Sequence, residues 1–198
     1  MDDLGRTTKK PGAGAAQLLV GTSGYSYTEW VEAGFYPAVT KSALMLPLYA
    51  RIFPATELNF TWYQMPRAEA LERLRQNAPP HFRFSVKLTR QLTHDVEAGK
   101  WQQQATAFRE GVTPMLATGQ LLAVLVQLPP DFDRSQAHRR YLAELLDALA
   151  DLPLAVEFRH ASWADDRVYA ELERRRITLV NVDTPQLTDL FPNLTVVT

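Results

Sequence analysis

The chain has 198 residues, 46% of them apolar and 22% charged, enough for one substantial core and short for two domains. Its formal net charge is -1, its sequence pI is about 6.4, and it contains no cysteine. Those values exclude an overall basic field for nucleic acid or anionic membrane, a disulfide scaffold, thiolate catalysis and cysteine-ligated metal centres.

Residues 1–17, MDDLGRTTKKPGAGAAQ, pass from acidic to basic to glycine- and alanine-rich without an apolar signal-like core, and are expected to be a disordered tail. No stretch approaches the roughly 18 continuous apolar residues of a membrane span, so a cytoplasmic location with no membrane contact is the simplest expectation.

From residue 18 to 198 the pattern predicts a single α/β domain. Short β-rich runs fall at 18–21 (LLVG), 56–60 (TELNF), 82–88 (FRFSVKL), 121–128 (LLAVLVQL), 154–158 (LAVEF) and 177–182 (ITLVNV). They alternate with longer helical patterns, the mark of βα units and a parallel sheet. Helices are predicted over 66–78, opening on Pro66; over 101–118; and over 135–150, capped by Ser135, with an apolar stripe through Tyr141, Leu142, Leu145, Leu146 and Leu149. Ser162-Trp-Ala-Asp165 resembles a capping box for a helix over 163–176. A helix over 40–53 is expected to kink or break at Pro47. Six βα units fit an α/β barrel or a doubly wound sheet, and Gly21-Thr-Ser-Gly24 is too short a match for a dinucleotide fingerprint.

The polar residues fall at strand ends. Side chains alternate faces, which groups Glu57, Asn59, Thr61 and Tyr63, groups Ser85 with Lys87, Glu157 with Arg159, and Asn181 with Asp183. Each set lies toward the C-terminal end of its strand, and in a barrel those ends open on one face. The best marked is AVEFRHASW, 155–163, where an apolar run breaks into Glu157, Arg159, His160 and Trp163. Taken singly, each residue is equally explained by a buried ion pair or hydrogen-bond network; their convergence points to a pocket.

GTSGYSYTEW, FYP, ELNFTWYQMP, FRFSVKLTRQLTH, VLVQLPPDF, AVEFRHASW and NVDTP resemble the successive motifs of the domain-of-unknown-function-72, or YecE-like, family, in order from Val20 to Pro185. The resemblance implies a TIM-barrel-like parallel (β/α) fold and no particular reaction. Family members continue past the NVDTP step into a seventh strand of the form Y-x-R-x-H-G and an eighth. With about six strands the barrel is therefore expected to be incomplete, lacking an arginine and a histidine of the mouth, and open to self-association through the exposed sheet edges.

Glu57, Glu157 and Asp183 are the candidate catalytic carboxylates, since paired carboxyl groups supply the acid and base of hydrolysis. The candidate substrate contacts are Ser23, Tyr25, Asn59, Tyr63, Lys87, His94, Gln127, Arg159, His160 and Trp163. Guanidinium and ammonium groups among them suit a small anionic or sugar-like ligand, so the leading expectation is a hydrolase of a phosphorylated or sugar-containing substrate. The alternatives are a non-enzymatic anion- or nucleic-acid-binding module, in which Lys87, Arg90, Arg159 and His94 interleave with Tyr25, Trp30, Trp62, Tyr63 and Trp163, or an inactive truncated product. His94, His160, Glu57, Glu157 and Asp183 are metal-ligand types, but with four histidines and no H-E-x-x-H spacing no metal site is assigned, and no cofactor is indicated.

Overall fold

The computed structural model describes residues 17–185 and 189–194, so the tail expected over 1–17 lies, apart from Gln17, outside the described residues. Six strands form one parallel sheet: β1 (Gly21–Ser23), β2 (Ala55–Leu58), β3 (Arg83–Lys87), β4 (Leu121–Gln127), β5 (Leu154–Glu157) and β6 (Thr178–Leu179). Their spatial order is their chain order. A doubly wound sheet reverses order at a switch point; the absence of any reversal is the winding of a barrel, here not closed because β1 and β6 each have one sheet neighbour. Helices α1 (Glu29–Glu32) and α2 (Ser42–Tyr49) follow β1, and α3 (Phe60–Tyr63) and α4 (Ala68–Gln76) follow β2. A 3-10 turn (Arg90–Leu92) and α5 (Trp101–Ala117) follow β3, α6 (Gln136–Ala148) follows β4, and a second 3-10 turn (Ala161–Trp163) and α7 (Asp166–Arg175) follow β5.

Strand alternation divides the molecule into two interiors. Leu58, Phe84, Val86, Val124, Val126, Val156 and Phe158 join helix residues such as Leu71, Phe108, Met115, Leu145 and Leu172 in one continuous core. The intervening residues, Ala55, Leu125 and Ala155, are buried outside that core and face the barrel interior together with Glu57, Ser85, Lys87, Gln127 and Glu157. Large apolar side chains fill the helix-facing side; apart from Leu125, these inner-face residues are small or polar. Leu122 is an extra residue where the β3–β4 register steps from Phe84–Leu121 to Ser85–Ala123, and this bulge leaves it 44% exposed.

Several boundaries differ from the sequence expectation for local reasons. The first strand begins at Gly21, where an added Cβ would lie 2.1 Å from the Ala55 carbonyl oxygen, so only glycine lets the two strands approach there. The run TELNF leaves the sheet at Leu58 because Asn59 takes helical angles, φ -92 and ψ -20, and starts α3. Pro47 lies inside a continuous α2 rather than breaking it. Ser135 caps α6 as expected, accepting from the His138 N–H at 3.3 Å. Helix α7, however, is capped by Asp165, which accepts from Arg167 N–H at 2.9 Å, while Ser162 Oγ accepts instead from Arg134 N–H at 2.8 Å.

The buried Tyr49 ties the first two strands together: its hydroxyl donates to Ala55 O at 3.1 Å and accepts from Thr22 N–H at 2.8 Å. At the other end of the sheet, residues 189–191 run antiparallel to 159–161, with Ala161 N–H donating to Asp189 O (2.9 Å) and Phe191 N–H to Arg159 O (2.8 Å). Among the described residues no helix is long and apolar enough to cross a membrane.

Candidate functional site at the C-terminal ends of the strands

Strand register places the polar residues. Ser23 pairs with Glu57, Glu57 with Ser85, and Ser85 with Ala123. Gln127, four residues beyond Ala123, pairs with Glu157. A barrel with shear 8 staggers by about one residue per strand. Over the four steps from β1 to β5 such a stagger amounts to about four residues, the offset in register between the level of Ser23, Glu57 and Ser85 and that of Gln127 and Glu157.

Two polar clusters result. In the first, Asn59 Nδ2 donates to Ser23 Oγ at 2.6 Å and Ser23 Oγ donates to Glu57 Oε1 at 2.9 Å, while Tyr27, which sequence reasoning missed, donates its hydroxyl to the Ser23 carbonyl. Glu57 is half-buried, and Oε2 has no hydrogen-bond partner among the described residues. A cavity of about 220 Å³ opens beside it, with Gly21, Ser23, Ser85 and Leu122 in its wall. In the second cluster Glu157 is 5% exposed, and its Oε1 takes both the Gln127 amide at 2.8 Å and the Arg159 guanidinium. The two donors offset, at that one oxygen, the cost of burying the carboxylate; Oε2, like that of Glu57, has no hydrogen-bond partner among the described residues.

Between them stands an aromatic, basic group on β3 and the loop after it. Lys87 Nζ lies 5.6 Å and Arg90 Cζ 5.2 Å from the centre of the Trp62 ring, and the His94 ring meets it edge-on at 5.1 Å. Arg90 is also paired with Asp95 at 2.6 Å, whereas Lys87 has no acidic partner among the described residues. Thr61 fixes the end of β3 by donating to Lys87 O at 2.6 Å. Partial burial, and after it the Lys87 charge, lowers the His94 pKa below the ordinary histidine value. His94 shares a 2.8 Å hydrogen bond with Thr93 and borders a cavity of about 330 Å³ between the loops after β3 and β4.

The other predicted residues stand elsewhere. Tyr25 packs against Tyr49 at 6.1 Å in the aromatic cluster after β1, and burial raises its phenol pKa. Tyr63 is 74% exposed and meets the Trp62 ring edge-on at 4.7 Å, because the chain has already turned into α3. His160 Nδ1 accepts from Ser162 N–H at 3.1 Å and closes the 3-10 turn. Trp163 is 4% exposed in the helix-facing core, stacked on Phe158 at 4.7 Å and donating to Phe132 O at 2.7 Å, so it backs the sheet rather than lining the mouth. Asp183 is exposed beyond β6 and accepts from Asn193 at 3.1 Å, outside both hydrogen-bonded clusters. No three histidines or acids converge in metal-binding fashion among the described residues.

Residues 19–198 match the family described as protein of unknown function DUF72. The UPF0759 protein YunF of Bacillus subtilis is 31% identical over 140 residues, covering 69% of this chain and 50% of its own, and the UPF0759 protein YecE of Escherichia coli is 26% identical over 144 residues, covering 72% and 48%. The chain thus spans about half the length of these curated relatives. A crystal structure of a DUF72 family protein from Thermotoga maritima superposes with a TM-score of 0.78 at 33% identity, over 90% of this chain and 70% of that one. One from Enterococcus faecalis gives 0.76 at 25% identity, over 90% and 66%.

Proposed function

The chain belongs to the DUF72 family, and within it we propose that the strand-end mouth is the active site of a hydrolase acting on a small phosphorylated or sugar-containing substrate. The observation that carries this reading is the state of Glu57: a half-buried acid in a cavity wall, oriented through one oxygen by Ser23 and Asn59, with the other oxygen free. A base needs that combination of fixed direction and an open lone pair. Lys87 at the end of β3 and Arg159 just past β5 supply cations for an anionic group, and Glu157, which takes Gln127 and Arg159 on one oxygen, positions the guanidinium.

The test is a panel of nitrophenyl phosphates, phosphodiesters and glycosides. Glu57→Gln is expected to lower kcat at least 100-fold with KM little changed, while Lys87→Met raises KM for the anionic substrates. Full turnover in Glu57→Gln, or no turnover of any class by the parent chain, overturns the proposal.

Trp62 beside Lys87, Arg90 and His94 favours a second reading, a module for single-stranded nucleic acid. Against it, the cations over the Trp62 ring occupy the surface on which a base would stack. Salt-sensitive retention of an oligonucleotide, lost in Trp62→Leu, would support this reading over hydrolysis.

A further inference from the structure

The helix layer behind β5 holds a separate cavity of about 270 Å³ between α6 and α7, where the core comes to the surface. Its floor is apolar: Leu142 and Leu146 from α6, Leu172 from α7, and the stacked Phe158 and Trp163. Four arginines line it, and they are not equivalent. Arg134 is neutralised by Asp165 at 2.8 Å, and Arg175 by Asp147 at 2.5 Å and Glu171 at 2.6 Å. Arg139 on α6 and Arg167 on α7 are exposed and have no acidic partner among the described residues. An apolar trough flanked by two unpaired guanidinium groups is complementary to a molecule with an apolar body and one planar anionic head.

We infer that the α6–α7 trough is a binding site for a medium-chain carboxylate, its alkyl chain laid on Phe158, Trp163 and the leucines and its head held by Arg139 and Arg167. The site is independent of the mouth: Phe158 points outward from the same segment whose Glu157 and Arg159 point inward, so the two ligands would lie on opposite sides of the sheet.

Hexanoate, octanoate, decanoate and uncharged decanol are titrated by calorimetry, with Trp163 fluorescence as the local reporter and Trp163→Phe assigning the signal. Decanoate is expected to bind one to one at sub-millimolar Kd, with affinity rising about fourfold per added methylene as apolar burial requires. The exposed double variant Arg139→Gln/Arg167→Gln is expected to weaken decanoate at least tenfold without moving the unfolding midpoint, and Ala143→Phe, which fills the trough, to abolish binding. Decanol binding as tightly as decanoate, decanoate affinity unchanged in the arginine variant, or no saturable binding below the micellar range overturns the inference. Saturable decanoate binding by a parent chain that turns over none of the hydrolase substrates would uphold this inference while overturning the hydrolase, so the two proposals fail separately.

Discussion

The two glutamates of the mouth sit in opposite circumstances. Glu157 is buried and takes an amide and a guanidinium on one oxygen; Glu57 is half-buried and takes a single hydroxyl. A buried carboxylate paired with a guanidinium is tied to the fold, because removing it strands its partner; one that is half-buried and bonded to a single neutral hydroxyl holds no charged partner in place. Pairing thus distinguishes an acid on which a neighbouring cation depends from one on which, among the described residues, none does.

That contrast can be broken at several points. Glu157→Ala is expected to cost about 3 kcal/mol in urea unfolding by leaving Arg159 beside an empty, buried site, against less than about 1 kcal/mol for Glu57→Ala; equal losses would erase the distinction. Gln127→Leu, which deletes the amide donor to Glu157, follows at about 2 kcal/mol, whereas Ser23→Ala at the other glutamate stays below about 1 kcal/mol. Tyr49→Phe probes the scaffold under Glu57: with a Thr22 N–H and a carbonyl left short of a partner, about 1 to 2 kcal/mol is expected, and a neutral result would mean that β1 is held by its ladder alone.

The smallest effect is on His94. Its lowered pKa means that the folded chain binds fewer protons than the unfolded chain just below the ordinary histidine range. Its contribution to stability is therefore present above that range and declines as pH falls through it. An NMR titration is expected to show a midpoint below the unfolded value that rises in Lys87→Met without reaching it, since burial is the larger cause. The same protonation adds a cation to the mouth, so anion affinity should grow as pH falls.

Most of the architecture was legible. Six apolar runs identified six strands, and Ser135 marked a helix start, because periodicity and caps are local signals. The sheet's end point at Leu58 was not, since TELNFTWY alternates perfectly through a turn that only the helical angles of Asn59 reveal. Nor did spacing distinguish Ser162 from Asp165 as a cap; Arg134, 28 residues away, claims the serine. At the site, Ser23, Glu57 and Asn59 form one bonded cluster and Gln127, Glu157 and Arg159 another; parity grouped Glu57 with Asn59 and Glu157 with Arg159 but not their partners from other strands. Trp163 does not, because an indole beside a strand end satisfies its N–H as well in the core as in a pocket. Tyr27 reaches Ser23 across a loop and leaves no periodic trace.

The Asn181 side chain donates to Leu194 O at 2.5 Å and accepts from Leu194 N–H at 3.0 Å, so one amide side chain meets one residue's backbone as a neighbouring peptide would. Because Asn181 touches backbone only, the identity of residue 194 is immaterial to the contact, whereas the 13-residue separation is not. Substitutions at 194 other than proline, which has no N–H to donate, should be silent there, and a single inserted or deleted residue between the two should uncouple them.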